Sequence, residues 1–432
     1  MRGRNLLRVL GLGFGLAGAI GGTVGAGILR TPAEVAAKLP TPGPFLLVWL
    51  LGGLYALLCA FGVSELGTMM PRAGGYYVFA RRALGSYAGF VVGWLDWVAA
   101  SGSIAALALF FADTAADLAP GLRGHTLAVA AFVIFGLAGL HWRGIRWGSG
   151  TQQLTSLLKA LGFVALVAVF LILGRDQEPS VARPTGSLLG ATFLVLPAVI
   201  WTYDGWYGPI YFGEEFAHPE RDLPRSILGS VVLVTVLYLL LNVALLRALP
   251  LEAIARAHIP AADAAAILLG TRGVPLLKGL IALSVLSTMN AMILAAPRIL
   301  YALSKDRLLP EAVQGVNEGG TPTTALALTT TVAAAFLLSG TFEKVIQVVS
   351  FFIVAFVSLA LISVFVLRHR APDEPRPYRA WGHPFTTGLA LLGSLAFFVG
   401  VAANDPRNAT VAVAVVVACV PAYLLLKLAS SR

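Results

Sequence analysis

Apolar runs of about twenty residues, the length a helix needs to cross a bilayer, recur along almost the whole of this 432-residue chain. On that template the pattern predicts twelve spanning helices. Those of the first half lie at 10–38, 43–68, 85–117, 125–141, 152–174 and 188–213. Those of the second lie at 225–248, 274–303, 322–340, 344–367, 385–403 and 409–428. The segments lack the two-residue alternation of a membrane barrel, so the predicted fold class is all-α and integral to a membrane. The opening of the chain, basic and then Gly/Ala-rich, has the outline of a signal peptide. It runs on into Gly25-Ala26-Gly27 and eleven spans follow, so it is read as a retained first helix. Only 249–273, expected to carry a short amphipathic helix, and the Pro- and Arg-rich 368–384 are long polar stretches. No water-soluble catalytic domain fits between the spans.

Composition agrees with lipid as the main solvent. Hydrophobic residues make up 58% and charged residues 12%, against about a quarter charged in soluble proteins. The formal net charge of +10 invites a nucleic-acid partner, but its placement argues against one. Arg2, Arg4, Arg8, Arg72, Arg81, Arg82, Arg143, Arg146, Arg221, Arg225, Lys305, Arg307, Arg368, Arg370, Arg376, Arg379, Lys427 and Arg432 all fall at the chain ends or in alternate connections. That asymmetry puts both termini in the cytoplasm by the positive-inside rule. Cys59 and Cys419 both lie in apolar runs and make neither a metal cluster nor a disulfide framework.

Two glycine-rich interruptions carry the chemistry. Gly13-Phe14-Gly15-Leu16-Ala17-Gly18 matches a dinucleotide fingerprint, but that motif needs a preceding strand, which is missing here. Gly21-Gly22-Thr23-Val24-Gly25-Ala26-Gly27-Ile28 is more informative, because four glycines weaken a helix at mid-membrane by about 1 kcal/mol each relative to alanine. A broken helix is tolerated in lipid only where it lines protein or a polar cavity. Its freed N–H groups suit a carboxylate; close helix packing is the alternative. The sixth span has a second interruption, Trp201-Thr202-Tyr203-Asp204-Gly205-Trp206 followed by Gly208-Pro209. Paired breaks in corresponding spans of two halves point to a transporter's binding site. They correspond if residues 1–174 and 188–367 are inverted repeats of five spans, with 385–428 adding two more. The loop charges run the first span outward and the sixth inward, as such a repeat requires.

The residues also carry a resemblance. The chain is similar to the amino acid–polyamine–organocation superfamily, and within it to the L-type amino acid transporter family. The resemblance rests on Gly22-Thr23-Val24-Gly25-Ala26-Gly27-Ile28, Pro71-Arg72-Ala73-Gly74-Gly75-Tyr76-Tyr77, Gly89-Phe90-Val91-Val92-Gly93-Trp94 and Tyr203-Asp204-Gly205-Trp206. Gly213-Glu214-Glu215, Pro219-Glu220-Arg221-Asp222-Leu223-Pro224 and the stretch from Pro297-Arg298 to Leu309-Pro310 add to it. It implies a LeuT-like 5+5 inverted repeat whose first and sixth helices unwind around an amino acid. Amides of Val24, Gly25, Ala26 and Gly27, beside Thr23, would hold the carboxylate. Carbonyls near Ile20 and from Trp201, Thr202 and Tyr203 to Asp204 would take the ammonium, with Gly205 beside them in the substrate site.

Lys159 lies inside the fifth span, where a charge costs roughly 2.5–3.5 kcal/mol on insertion scales and needs a partner or a wet cavity. It either snorkels to the helix end or, as the resemblance implies, replaces the sodium ion of coupled relatives at the first break. Asp204 admits three readings: partner of a cationic substrate, proton carrier, or satisfied structural carboxylate. Trp201 and Trp206 are candidate lids. Ser287 and Asn290, with Thr288, either line the cavity or bond neighbouring helices. Glu214, Glu215 and Arg221, with Arg225, form either a gate network or a solvated loop. Asp96 has no assigned role. No cofactor or metal is expected, and no H-E-x-x-H or G-x-S-x-G pattern supports an intramembrane enzyme. The connection between spans 3 and 4 lacks cysteine, so no disulfide-linked ancillary subunit is expected. These expectations converge on a sodium-independent exchanger of neutral, and among the candidates cationic, amino acids in a bacterial-type inner membrane. A proton-coupled symporter is the alternative.

Overall fold

The computed structural model describes residues 5–175, 177, 187–340, 342–404 and 406–430. Among them the regular elements are helical, with three isolated β-bridges besides. Every predicted span contains an apolar helix. The first is a broken pair, α1 (Leu12–Thr23) and α2 (Gly27–Lys38), bent by 45°. Next come α3 (Pro42–Met69), the short α4 (Tyr76–Leu84), α5 (Ser86–Leu118), α6 (Thr126–Trp142), α7 (Ile145–Leu173) and α8 (Leu188–Thr202). After α9 (Pro219–Ala248) two short helices, α10 (Leu251–Arg256) and α11 (Pro260–Leu269), lead into α12 (Gly273–Lys305). The chain closes with α13 (Thr323–Ser339), α14 (Phe342–Arg370), α15 (Phe385–Asn404) and α16 (Pro406–Ser430).

Six segments among the described residues are long and apolar enough to cross a membrane on their own: α3, α5, α7, α9, the run Pro260–Lys305 and Phe351–Arg370. The α1–α2 pair makes a seventh, and α6, α8, α13 and parts of α15 and α16 are shorter apolar helices. The outward faces are built for lipid. Leu47, Leu50, Leu51 and Leu54 on α3, and Leu154, Leu157, Leu158, Leu161 and Val164 on α7, are exposed at helical spacing. The chain is an integral membrane protein.

Boundaries moved where hydropathy misleads. Helix α7 begins at Ile145 rather than 152, because Ser149 and Gln152 face protein instead of ending the span. Helix α9 begins at Pro219 rather than 225, its first turn carrying Glu220 and Asp222 as a helix N-terminus favours. The single amphipathic helix expected in 249–273 is two helices, α10 and α11. The sixth predicted span, 188–213, is helical only to Thr202. Beyond it the chain makes a turn and two short 3-10 segments, Gly208–Tyr211 and Gly213–Glu215. In the interior α3 packs along α9 and α5 along α12, while α1 lies against α7, α9 and α12. That arrangement brings the two breaks together.

Candidate functional site

Helix α1 stops at Thr23 because Val24 leaves helical geometry, with φ −76° and ψ 95°. The Val24 amide still bonds Ile20 O at 2.9 Å. The next three amides, of Gly25, Ala26 and Gly27, have no hydrogen-bond partner among the described residues. Helix α8 stops one residue before Tyr203, and the turn that follows is possible because Gly205 sits at φ +107°, a region open to glycine and costly for other residues. The breaks meet backbone to backbone: a Cβ on Gly205 would lie 2.6 Å from the carbonyl carbon of Gly22. Oγ1 of Thr31 on α2 and Oγ1 of Thr202 on α8 hydrogen-bond at 2.9 Å.

Between the breaks lies a cavity of about 380 Å³, within the range of small-molecule sites. Gly22, Thr23, Gly25, Gly27, Trp201, Thr202, Asp204 and Gly205 line it. One stripe of α5 adds Asp96, Ala99, Ala100, Ser103, Leu107 and Phe110, and one stripe of α12 adds Thr288, Ala291, Met292, Ala295 and Ile299. Among the described residues Asp96 and Asp204 are the carboxylates on its wall, and no Lys, Arg or His lines it. Tyr211 donates to Asp96 Oδ2 at 2.7 Å and Tyr207 to Asp204 Oδ2 at 3.1 Å. Toward the chain's N-terminus the walls are the buried Phe14, Phe212, Leu294 and Ile299, with Phe14 edge-on to Phe212 at 5.0 Å. At the other end the lining residues Trp201 and Phe110 are exposed.

Lys159 has no exposed surface and does not snorkel. Its ammonium donates to Gly21 O at 2.8 Å and Val24 O at 2.6 Å, both in the first break, and reaches Ser284 O on α12 at 3.5 Å. The same carbonyls accept hydroxyls from α12: Thr288 bonds Gly21 O at 3.0 Å and Ser284 bonds Val24 O at 2.9 Å. Gln152 and Ser156 hold Ala17 O one turn earlier, at 3.3 and 2.8 Å. The unwound stretch is thus fastened by α7 and α12, and its residues Gly25 and Gly27 line the cavity.

Other predicted residues lie elsewhere. Trp206 is buried against Tyr207 and is not on the cavity wall. Ser287 bonds Gln152 and Ser156, and Asn290 bonds His141 and Gln152 at 2.8 and 2.7 Å, so both join neighbouring helices. The proposed gate cluster divides. Glu215 is buried and accepts both Nε and Nη2 of buried Arg298 at 2.8 and 3.0 Å, Glu214 pairs with Lys305 at 2.9 Å, and Arg221 turns to Asp222 at 2.9 Å. Arg225 is exposed. Thr288, a candidate beside Ser287 and Asn290, is the one of the three on the cavity wall. Arg298, Tyr207 and Tyr211 are site residues to which the sequence assigns no place, and Asp96, left without a role, faces the cavity. On the same end of the bundle Asp306 gathers Arg72, Arg81 and the Tyr77 hydroxyl. Glu65 gathers Arg368 and the Ala380 amide.

Comparison with known proteins meets this geometry. A family model described as amino acid permease matches residues 5–423. A serine/threonine exchanger of Bacillus subtilis (strain 168) is 29% identical over 430 residues, covering 98% of this chain and 97% of its own. The mouse b(0,+)-type amino acid transporter 1 is 27% identical, with 87% and 79% covered. The human cystine/glutamate transporter is 26% identical, with 94% and 82% covered.

Proposed function

Because the chain belongs to the amino acid permease family, we propose that it exchanges amino acids across the membrane without sodium, holding each as a zwitterion between the two helix breaks. In this reading residues 1–174 and 188–367 are inverted five-span repeats, and 385–428 adds two spans to make twelve. Both termini face the cytoplasm of a bacterial-type cell, and no disulfide-linked subunit is required. Substrate carboxylate meets the amides of Gly25, Ala26 and Gly27, and the ammonium meets carbonyls at the end of α8. Rocking of the bundle that carries both breaks exposes the cavity alternately to each side. The shut end at Phe14 and Phe212 is then the cytoplasmic one, latched by the Glu215–Arg298 pair.

The observation that carries this reading is Lys159. A fixed ammonium on the carbonyls of Gly21 and Val24 supplies the positive charge that a cation would otherwise bring to the break. A serine/threonine exchanger among the relatives supports exchange of small neutral substrates. The test is uptake of radiolabelled serine into proteoliposomes. Uptake is expected only when amino acid is trapped inside, at the same rate in sodium or choline chloride. A sodium requirement would remove the role given to Lys159.

Asp96 and Asp204 on the cavity wall favour a second reading, proton-coupled uptake. It predicts transport into empty vesicles driven by a pH gradient. The same carboxylates bear on substrate charge, since hydrogen bonds to charged groups contribute about 1.5–3 kcal/mol. If Asp204 meets a cationic side chain, Asp204→Asn lowers lysine and arginine uptake by about tenfold and leaves serine uptake within about twofold. Unchanged selectivity returns Asp204 to a structural role.

A further inference from the structure

The turn between α6 and α7 presents two tryptophans and two arginines that substrate handling leaves unused. Trp142, Arg143, Arg146 and Trp147 are all exposed. Each ring ends a lipid-facing stripe. Trp142 continues the face of the exposed Phe135 on α6, and Trp147 the face of the exposed Leu154 and Leu161 on α7. The turn itself is pinned to the segment before α13. Gly144 sits at φ +136°, where a Cβ would lie 2.8 Å from Gly319 Cα, and the Ile145 amide donates to Gly319 O at 2.9 Å. The last carbonyls of α6 are served as well, His141 O by the Thr321 hydroxyl at 2.8 Å and Trp142 O by the Asn317 side-chain amide. Neither arginine is needed as a helix cap. Arg143 lies over the Trp147 ring at 5.8 Å. Among the described residues neither guanidinium has a carboxylate or carbonyl partner, and Glu318 on the facing segment already has a partner of its own.

We propose that this turn binds an anionic phospholipid, its phosphodiester on Arg143 and Arg146 and its glycerol and upper acyl carbons against Trp142 and Trp147. The level along the helix fits. The exposed apolar residues of α7 run from Leu154 to Leu173, about 30 Å at 1.5 Å per residue and so the thickness of the hydrocarbon core. Arg146 and Trp147 lie beyond the Leu154 end, where headgroups sit and where tryptophan is enriched. The chemistry is selective. A guanidinium offers a planar fork that fits two phosphate oxygens. Two of them beside no carboxylate favour a headgroup of net negative charge over a zwitterionic one. Basic residues of other connections are engaged within the protein: Arg72 and Arg81 with Asp306, Lys305 with Glu214, and Arg368 with Glu65. The arginines of this turn sit instead at the end of a lipid-facing surface. The inference holds for either leaflet and does not rest on the exchange reading.

The experiment titrates the purified protein with dioleoylphosphatidylglycerol or dioleoylphosphatidylcholine and counts bound lipid by native mass spectrometry. Wild type is compared with Arg143→Gln/Arg146→Gln and with Arg123→Gln/Arg272→Gln. The last removes the same charge from exposed arginines on other connections. Wild type is expected to hold the anionic lipid more tightly than the zwitterionic one. Arg143→Gln/Arg146→Gln should weaken the anionic lipid about tenfold or more, with the other double variant within about twofold of wild type. The complexes weighed are of folded protein, so a lower yield of one variant does not alter its affinity. An affinity in Arg143→Gln/Arg146→Gln within about twofold of wild type overturns the proposal. So does equal binding of the two lipids by wild type, and so does an equal loss in both double variants, which would make the effect one of net charge. Glycerol 3-phosphate serves as competitor. Failure to displace the lipid at equal concentration supports a lipid site, and displacement would reveal a site for a free phosphate and overturn it.

Discussion

Lys159→Ala is expected to cut the initial rate of amino acid exchange by a factor of about a hundred or more while the protein still folds. The ammonium makes two short bonds to Gly21 O and Val24 O, and charge-assisted bonds of this kind contribute about 1.5–3 kcal/mol each. The fold survives because neither carbonyl is stranded: Thr288 still serves the first and Ser284 the second. What disappears is the positive charge and the tie from α7 to the unwound stretch, so the free amides of Gly25 to Gly27 lose their fixed direction. Lys159→Arg should fail too, since a planar guanidinium does not fit the place of a compact ammonium. The measurement is uptake into preloaded vesicles together with the Tm of the purified variant. Uptake near the wild-type level would show that Lys159 fastens helices and nothing more. A Tm collapse would mean that the lost charge matters first to folding.

Lys159 and both breaks were legible because each violates a local rule. A lysine in an apolar run and clustered Gly or Pro in a spanning helix are anomalies that need no knowledge of neighbours. What could not be read was facing. Thr288, Ala291, Met292, Ala295 and Ile299 form the cavity stripe of α12, and at about 100° per residue Ser287 and Asn290 point off that stripe. Identifying the helix did not identify its inward side. Asp96 could have been found, since Ala99, Ala100 and Ser103 follow it at helical spacing and leave room beside the carboxylate. The partner of Glu215 could not: Arg298 is distant in sequence and comes into reach only when α12 packs beside the turn after α8. Span edges moved for a related reason, because hydropathy treats Gln152 as a boundary when it is a buried link to α1.

The sharpest contrast available is between two glycines on the same cavity wall. Gly205 combines φ +107° with a site where a Cβ would sit 2.6 Å from the Gly22 carbonyl carbon and 2.9 Å from the Thr23 amide. The conformation alone costs a non-glycine residue roughly 1–3 kcal/mol, and the overlap falls on backbone, which cannot swing aside. Relief requires moving α8's end away from α1, which stretches together the Thr31–Thr202 bond and the two bonds that the buried Tyr238 hydroxyl on α9 donates to Thr23 O and Thr202 O. Gly205→Ala is therefore expected to abolish amino acid uptake and the amino-acid-induced rise in Tm. Gly25 has an unremarkable φ and meets only Thr23 O at 4.0 Å. Gly25→Ala should fold with an unchanged Tm, and its methyl enters a cavity rather than a wall. It should raise KM by about tenfold or less, most for the bulkiest substrates, as overpacking a binding pocket does. Measured side by side, equal tolerance of the two substitutions would mean that the breaks are not in contact in the working protein, and the shared site between them would have to be abandoned.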